Sequence, residues 1–91
     1  MTTSTIDNTL AERKDRYGLF IHNAALTQAL SRVLHSHRGW PHLEVDQKEA
    51  LEMICHKISR IINGDPNYVD SWHDISGYAT LVEKRLLGQT L

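Results

Sequence analysis

Apolar residues recur three or four positions apart along most of the chain, which is the spacing of one face of an α-helix. A first helix is expected over residues 10–16. Gly18 then interrupts the helical pattern, and a second helix is expected from about residue 19 to 37. Gly39 and Pro41 end the second helix, because glycine often terminates a helix and proline cannot continue one. The first half of the chain therefore predicts two helices joined near Gly18.

Two further helices are predicted in the second half of the chain. Asp46 is expected to be the N-cap of the third, with Glu49 three positions later completing a capping box. Gly64 is expected to end that helix in the left-handed conformation, before a fourth helix over about 67–87. The apolar stripe of the fourth helix consists of Tyr68, Trp72, Ile75, Ala79, Val82 and Leu86. Because no stretch alternates as a strand does, the predicted fold class is all-α, a small antiparallel helical bundle.

The fourth predicted helix carries a second face of mixed character. Two acids, Asp70 and Asp74, share that face with Gly77, Tyr78 and Leu81. The face is expected to pack against another subunit, because a chain of 91 residues buries only a modest core. The single cysteine cannot form an intrachain disulfide that would reinforce the fold. We therefore expect a homo-oligomer, a dimer or a tetramer, that completes the bundle.

Charge and composition limit the classes of partner. Ten basic and eleven acidic side chains nearly cancel, and without a basic patch no nucleic acid is expected as a partner. No apolar run approaches the length of a transmembrane helix, so no membrane partner is expected. One unpaired cysteine and the lack of a signal-peptide pattern favour a cytoplasmic location. We expect one domain over residues 1–91, with residues 1–6 frayed.

Two pairs of carboxylates have the spacing of a shared helical face. Glu49 and Glu52 are three positions apart, and Asp70 and Asp74 are four apart on the next helix. The Gly-Asp-Pro turn between the helices makes them antiparallel neighbours, so both pairs could converge on one point. Carboxylates that converge repel one another, and a divalent cation relieves that repulsion. Their hard oxygen atoms favour Mg²⁺, Mn²⁺ or Ca²⁺.

A solvated helical surface is the alternative interpretation of the same acids. Glu49 then serves only in a capping box, Glu52 pairs with His56 four positions later, and Asp70 interacts with the helix dipole. The spacing alone leaves both interpretations open.

Several other side chains are candidates for ligand contacts. Lys57 and Arg60 follow the glutamates on the same helix and could contact phosphate groups, Arg60 in bidentate fashion. Tyr78 and Trp40 could stack on a nucleotide base, although Trp40 could equally cover the end of the bundle. A zinc site is a further option for the histidines near Trp40, but an exposed loop is favoured for His35, His37 and His42.

Two segments of the chain resemble known proteins. The motifs ERKDRYGLF and LEMICHKISRIINGDPNYVDSWHDISGYATLV, with Trp40 between them, resemble a family of small phage and prophage proteins. That family is similar in turn to the MazG-like, all-α NTP pyrophosphohydrolases. The resemblance extends over residues 10–86 and implies an enzyme that splits an NTP into NMP and pyrophosphate. MazG-like enzymes hold Mg²⁺ with a Glu-x-x-Glu pair on one helix and a Glu-x-x-Asp pair on the next.

The metal-binding pattern of these enzymes can be matched residue by residue. Glu49 and Glu52 match the first pair, and Asp74 matches the last acid. Asp70 departs from the pattern, because it is aspartate and lies four rather than three residues before Asp74. The resemblance thus implies that Glu49, Glu52 and Asp74 hold the cation, with Asp70 as the least secure ligand.

Three functions follow from these expectations. The leading one is a metal-dependent, nucleotide-binding pyrophosphohydrolase, in which Glu49, Glu52 and Asp74 hold Mg²⁺ or Mn²⁺. Lys57 and Arg60 would neutralise the charge that develops on the phosphates. The first alternative is a phage anti-defence protein that sequesters a nucleotide signal without hydrolysing it. The second is a protein-binding inhibitor of host defence, of the anti-CRISPR type. A phage-encoded protein would act in the host cytoplasm.

Overall fold

The computed structural model describes residues 5–89 and 91, and these residues form α-helices without any β-strand. The four helices are α1 (Thr5–Tyr17), α2 (Phe20–Ser36), α3 (Val45–Asn63) and α4 (Val69–Leu86). A short 3₁₀ turn, Trp40–His42, lies between α2 and α3. The all-α prediction is confirmed. Within this part of the chain, no helix is both long enough and apolar enough to cross a membrane.

The N-terminal helix begins earlier than the apolar pattern indicates. Thr5 and Ile6 lie in the first turn of α1, ahead of the predicted start at residue 10, while residues 1–4 lie outside the described range. The Thr9 hydroxyl donates to the Thr5 carbonyl at 2.9 Å. Residues 5–9 are mostly polar, and a helix without regularly spaced apolar residues gives no periodic signal.

The central helix of the fold is α3, which packs against both α2 and α4. Two ion pairs define its alignment with α4. Near the start of α3, Arg85 donates two hydrogen bonds to Asp46, at 2.8 and 2.6 Å. Further along, Lys57 contacts Asp74 at 2.9 Å. Residue numbers rise along α3 while they fall along α4, so the two helices are antiparallel.

The N-terminal cap of α3 differs from the prediction. Glu44 is the N-cap and forms the capping box with Gln47, whose Oε1 accepts a hydrogen bond from the Glu44 amide at 2.9 Å. The prediction that Asp46 and Glu49 form this box was therefore wrong. Asp46 lies inside the first turn, and its carboxylate binds Arg85 instead. Glu49 consequently has no capping role.

Two glycines allow the α1–α2 connection to lie directly on the α3–α4 connection. Gly18 has φ +83°, in the left-handed region, and a Cβ there would collide with the Asn63 carbonyl. Gly64 is not left-handed, contrary to the prediction, since its φ is −119°. It is needed for space, because a Cβ at Gly64 would collide with the backbone carbonyl of Arg16. The Asp65 amide completes the contact by donating to the same carbonyl at 2.8 Å.

The buried part of the described fold is small and largely polar. Ala50 and Cys55 are its buried apolar residues, and its buried polar residues are Asn23, Lys57, Ser59 and Ser71. Trp72, predicted to lie in the core, is 55% exposed, and its indole N–H donates to the Pro66 carbonyl at 2.8 Å. The predicted apolar stripe of α4 is thus only partly covered, because α3 is the main neighbour of that helix.

Candidate functional site

Two of the four predicted metal ligands are bound to basic side chains. Asp74 Oδ2 lies 2.9 Å from the Nζ atom of Lys57. Glu52 Oε1 lies 2.6 Å from the Nε2 atom of His35. These two carboxylates therefore have separate partners, one on α3 itself and one on α2.

The other two predicted ligands also lie in different surroundings. Asp70 accepts a hydrogen bond of 2.9 Å from the Tyr68 hydroxyl, two residues earlier in the chain. Glu49 lines a groove of about 440 Å³ between α3 and α4, together with Tyr78. The base-stacking candidate Tyr78 also lines a second groove together with Asp74, so it shares a groove with two of the four acids.

The alignment of α3 with α4 explains why these carboxylates stay apart. Counted along α3 from Lys57, the residue paired with Asp74, Glu52 is five residues away and Glu49 is eight residues away. At 1.5 Å of rise per residue these offsets are about 7.5 and 12 Å. The oxygen ligands of one divalent ion all lie within about 2.6 Å of it. The two glutamates therefore do not meet Asp74 at one point in this arrangement.

A divalent cation does not fit the donor set that the structure brings together. Among the described residues, no group of three or more His, Cys, Asp or Glu side chains is placed to hold a metal ion. The ammonium of Lys57 contacts the carboxylate that the resemblance makes a metal ligand. The Mg²⁺ or Mn²⁺ site accordingly stays a prediction of the resemblance.

The histidine-rich segment near Trp40 is occupied by other contacts. The rings of His35 and Trp40 pack with centroids 4.7 Å apart, and His35 also binds Glu52. His37 and His42 are exposed. Trp40 thus lies against the C-terminal part of α2.

A different cluster of candidate residues lies between α1 and α3. The end of α1, the Gly18 turn and α3 enclose a cleft of about 430 Å³. Its basic lining residues are Arg13, Lys14, His56 and Arg60, and none of the described residues that line it is a carboxylate. In the described part of the chain, the charged groups of Arg13, Lys14 and Arg60 form no ion pair with an acid. The cleft therefore has an excess of positive charge.

Tyr17 organises the wall of this cleft. The guanidinium carbon of Arg60 lies 4.2 Å from the centroid of its ring, and that of Arg13 lies 5.4 Å away. The backbone carbonyl of Tyr17 accepts a hydrogen bond of 2.6 Å from the side-chain Nδ2 of the buried residue Asn23. Asn23 in turn accepts one of 3.1 Å from Asn63 at the end of α3. These contacts fix the last residue of α1 against α3.

The electrostatics of the cleft favour an anion. Burial is the main cause that lowers the pKa of His56 below its ordinary value of 6.5, and the cations Arg60, Lys57 and Arg13 lower it further. The pKa of Arg60 is lowered as well, first by burial and then by Arg13. Both lowered pKa values mean that the protonated, positively charged form of the side chain is disfavoured in its surroundings. A negatively charged ligand in the cleft would stabilise that charge.

The sequence identified only part of this cluster. Arg60, assigned to phosphate from its position on α3, does line the cleft. Lys57, given the same role, does not line it and binds Asp74 instead. The contributions of Arg13 and Tyr17 were missed, although both lie in the motif ERKDRYGLF. The sequence signal for these contributions was a tyrosine directly before a helix-ending glycine, with a basic residue one helical turn before the tyrosine.

Comparison with known proteins identifies a family. A family model described as "Domain of unknown function (DUF6378)" matches residues 4–86, which is most of the chain. The matched span contains every residue that lines the cleft between α1 and α3. No curated protein and no solved structure matches the chain.

Proposed function

The chain belongs to the DUF6378 family, and from this premise we propose that it binds a nucleotide or a nucleotide-derived phosphate compound in the cleft between α1 and α3. One observation carries the proposal. The cleft is lined by four basic side chains from two helices, without a carboxylate among its described lining residues. Phosphate is the anionic group that such a set of donors recognises best.

The cleft has the size and the groups for a ligand with a phosphate and an aromatic base. Its volume of about 430 Å³ lies within the range of roughly 300–1,000 Å³ found for small-molecule sites. Arg13 and Arg60 can each present two parallel N–H donors to phosphate oxygens. Phe20 lines the same cleft and is 80% exposed, so its ring is available for a base to stack on.

Binding without hydrolysis is the version of this function that the cleft supports. None of its described lining residues has a carboxylate that could hold a cation or activate water. The pyrophosphohydrolase activity that the MazG-like resemblance implies would use Glu49, Glu52 and Asp74, and it stays a prediction. Under our proposal, the anti-defence role of such a phage protein is to sequester a nucleotide signal. The rival role, inhibition of a host defence protein by direct binding, predicts no nucleotide affinity.

Titration calorimetry in EDTA tests the proposal with ATP, AMP, a cyclic dinucleotide and pyrophosphate. At least one of these ligands should bind, and Arg60→Gln should weaken its binding at least tenfold, which corresponds to about 1.4 kcal/mol. Arg38→Gln is the matched control, since Arg38 is exposed and lies outside the cleft. Absence of binding by all four ligands, or equal losses in both variants, would contradict the proposal.

Chromatography of the nucleotide after incubation with Mg²⁺ separates binding from turnover. We expect the nucleotide to be returned intact. Formation of a nucleoside monophosphate and pyrophosphate would instead support the hydrolase. The loss of that activity in Glu49→Gln would then locate it at the carboxylates rather than in the cleft, since Glu49 is exposed and does not line the cleft.

A further inference from the structure

Lys57 is the one charged residue among the buried residues of the described fold. Only 11% of its side chain is exposed, against 43% for the side chain of Asp74. Its ammonium lies 2.9 Å from Asp74 Oδ2 and has no second ion-pair partner among the described residues. A buried charge is stable only when it is paired. Asp74 is therefore the group that allows Lys57 to be buried.

This ion pair lies where the MazG-like resemblance places a divalent cation. Asp74 matches the last acid of the resembled metal motif, and the Lys57 ammonium already neutralises it. The hydrogen bond from Lys57 is the main cause that lowers the pKa of the Asp74 carboxyl below its ordinary value of 3.8. A divalent ion on the same carboxylate would be repelled by the ammonium beside it.

We infer that Lys57 takes the place of a divalent cation at Asp74, as a counter-ion built into α3, so that the α3–α4 pair is complete without metal. Asp74 then stabilises a buried lysine rather than coordinating a cation. The inference disagrees with the Mg²⁺ site that the resemblance implies. It does not depend on nucleotide binding in the cleft between α1 and α3.

Thermal unfolding of Asp74→Asn in EDTA distinguishes a partner of buried Lys57 from a metal ligand, because the two roles predict changes of opposite sign in the melting temperature. Loss of the carboxylate leaves the buried ammonium of Lys57 without a partner, so the melting temperature should fall, by about 4 °C or more for a domain of this size. If Asp74 were one of several clustered metal ligands, the same change would relieve their mutual repulsion. The melting temperature of the metal-free protein would then rise, which would overturn the inference.

A double variant shows whether the loss acts through Lys57. Lys57→Met removes the ammonium and keeps a long apolar side chain. Added to Asp74→Asn, it should restore most of the lost melting temperature, because no unpaired charge then remains buried. A double variant that melts as low as Asp74→Asn would overturn the inference. If Asp74→Asn alone does not fold, a folded double variant supports the inference and an unfolded one overturns it.

Metal alone gives an independent test on the wild-type chain. Millimolar Mg²⁺ or Mn²⁺ should leave its melting temperature unchanged and should give no binding heat in titration calorimetry. A ligand that binds the native state raises its stability. A metal-dependent rise in melting temperature that Asp74→Asn removes would therefore overturn the inference. These measurements contain no nucleotide, so their outcome is separate from the success or failure of the proposed function.

Discussion

The guanidinium of Arg60 lies over the ring of Tyr17, with its carbon 4.2 Å from the ring centroid. Arg13 approaches the same ring at 5.4 Å. One aromatic side chain at the end of α1 therefore holds guanidinium groups from α1 and α3. Each contact is a cation–π interaction, which offsets part of the repulsion between two like charges held close together.

Replacing Tyr17 by Leu should weaken both the fold and the anion site. Leucine keeps much of the apolar volume but has no π face, so two cation–π contacts of about 0.5–1 kcal/mol each are lost. We expect the free energy of unfolding in urea to fall by about 1–2 kcal/mol, and the affinity for pyrophosphate to fall with it. Tyr17→Phe keeps the ring and should match the wild type in both measurements. Equal effects of the two changes would show that the hydroxyl, not the ring, is responsible.

His56 should make the stability of the ligand-free protein depend on pH. Its pKa in the fold lies below the ordinary value of 6.5, so the unfolded chain binds this proton more readily than the folded chain. Stability is therefore full above about pH 6.5 and falls as the pH drops through the lower pKa of the folded state. Urea unfolding at a series of pH values should show this loss, and His56→Asn should reduce it.

Phosphate should oppose this loss of stability. An anion in the cleft favours the protonated form of His56 and so raises its pKa. We expect phosphate to stabilise the wild type more at about pH 6 than at about pH 8. The ionisation of phosphate itself also changes over this range, so the same difference is measured in His56→Asn, and it should be larger in the wild type. Identical phosphate effects in the two proteins would show that His56 does not contact the anion site.

The contact between the two helix connections should make Gly18 and Gly64 intolerant of a side chain. Gly18→Ala and Gly64→Ala should each lower the free energy of unfolding by about 2 kcal/mol or more, because a Cβ meets backbone at both positions and Gly18 is also left-handed. Gly39→Ala is the control, since a Cβ there has open space and Gly39 has an ordinary φ of −75°. It should change the free energy of unfolding by no more than about 0.5 kcal/mol. Equal destabilisation by all three changes would argue against the close contact.

We predict that the chain forms a dimer or a tetramer. Large apolar side chains of α4 are exposed in the described fold, with Val69 at 71%, Trp72 at 55% and Leu81 at 52%. Monomeric proteins rarely expose large contiguous apolar patches. Light scattering at micromolar concentration should give a multiple of the chain mass, and Leu81→Arg on α4 should lower it. The mass of a single chain for the wild type would refute this prediction.

Spacing along the sequence predicted the helices but not every helix end. The all-α class followed from the apolar period, and the antiparallel pair of α3 and α4 followed from the Gly-Asp-Pro turn between them. The start of α3 could not be fixed in this way. Asp46-x-x-Glu49 has the spacing of a capping box, and Glu44-x-x-Gln47 has the same spacing. Nothing within either tetrapeptide decides between them.

The relation between helices could not be derived from spacing within one helix. Glu49 and Asp74 each belong to a pair that shares a helical face, but their distance along the helix axis depends on how α3 and α4 are aligned. Pairs such as Lys57 with Asp74 define that alignment, and the sequence offers many other pairs of opposite charge. The cleft was missed for the same reason, because residues 13–20 and 56–60 meet only after the chain has folded.

The weak attachment of α1 to the rest of the fold affects the rate at which a bound anion leaves the cleft. No residue of α1 is buried, and the side chains of Ile6 and Leu10 are 61% and 57% exposed. Detaching this helix therefore exposes little additional apolar surface, and its amide protons should exchange with solvent at low opening free energy. Arg13 belongs to this helix, whereas Arg60 belongs to the better protected α3. The residence time of a bound anion should accordingly depend on the opening rate of α1, the element that contributes Arg13 to the cleft and is held mainly by its last turn.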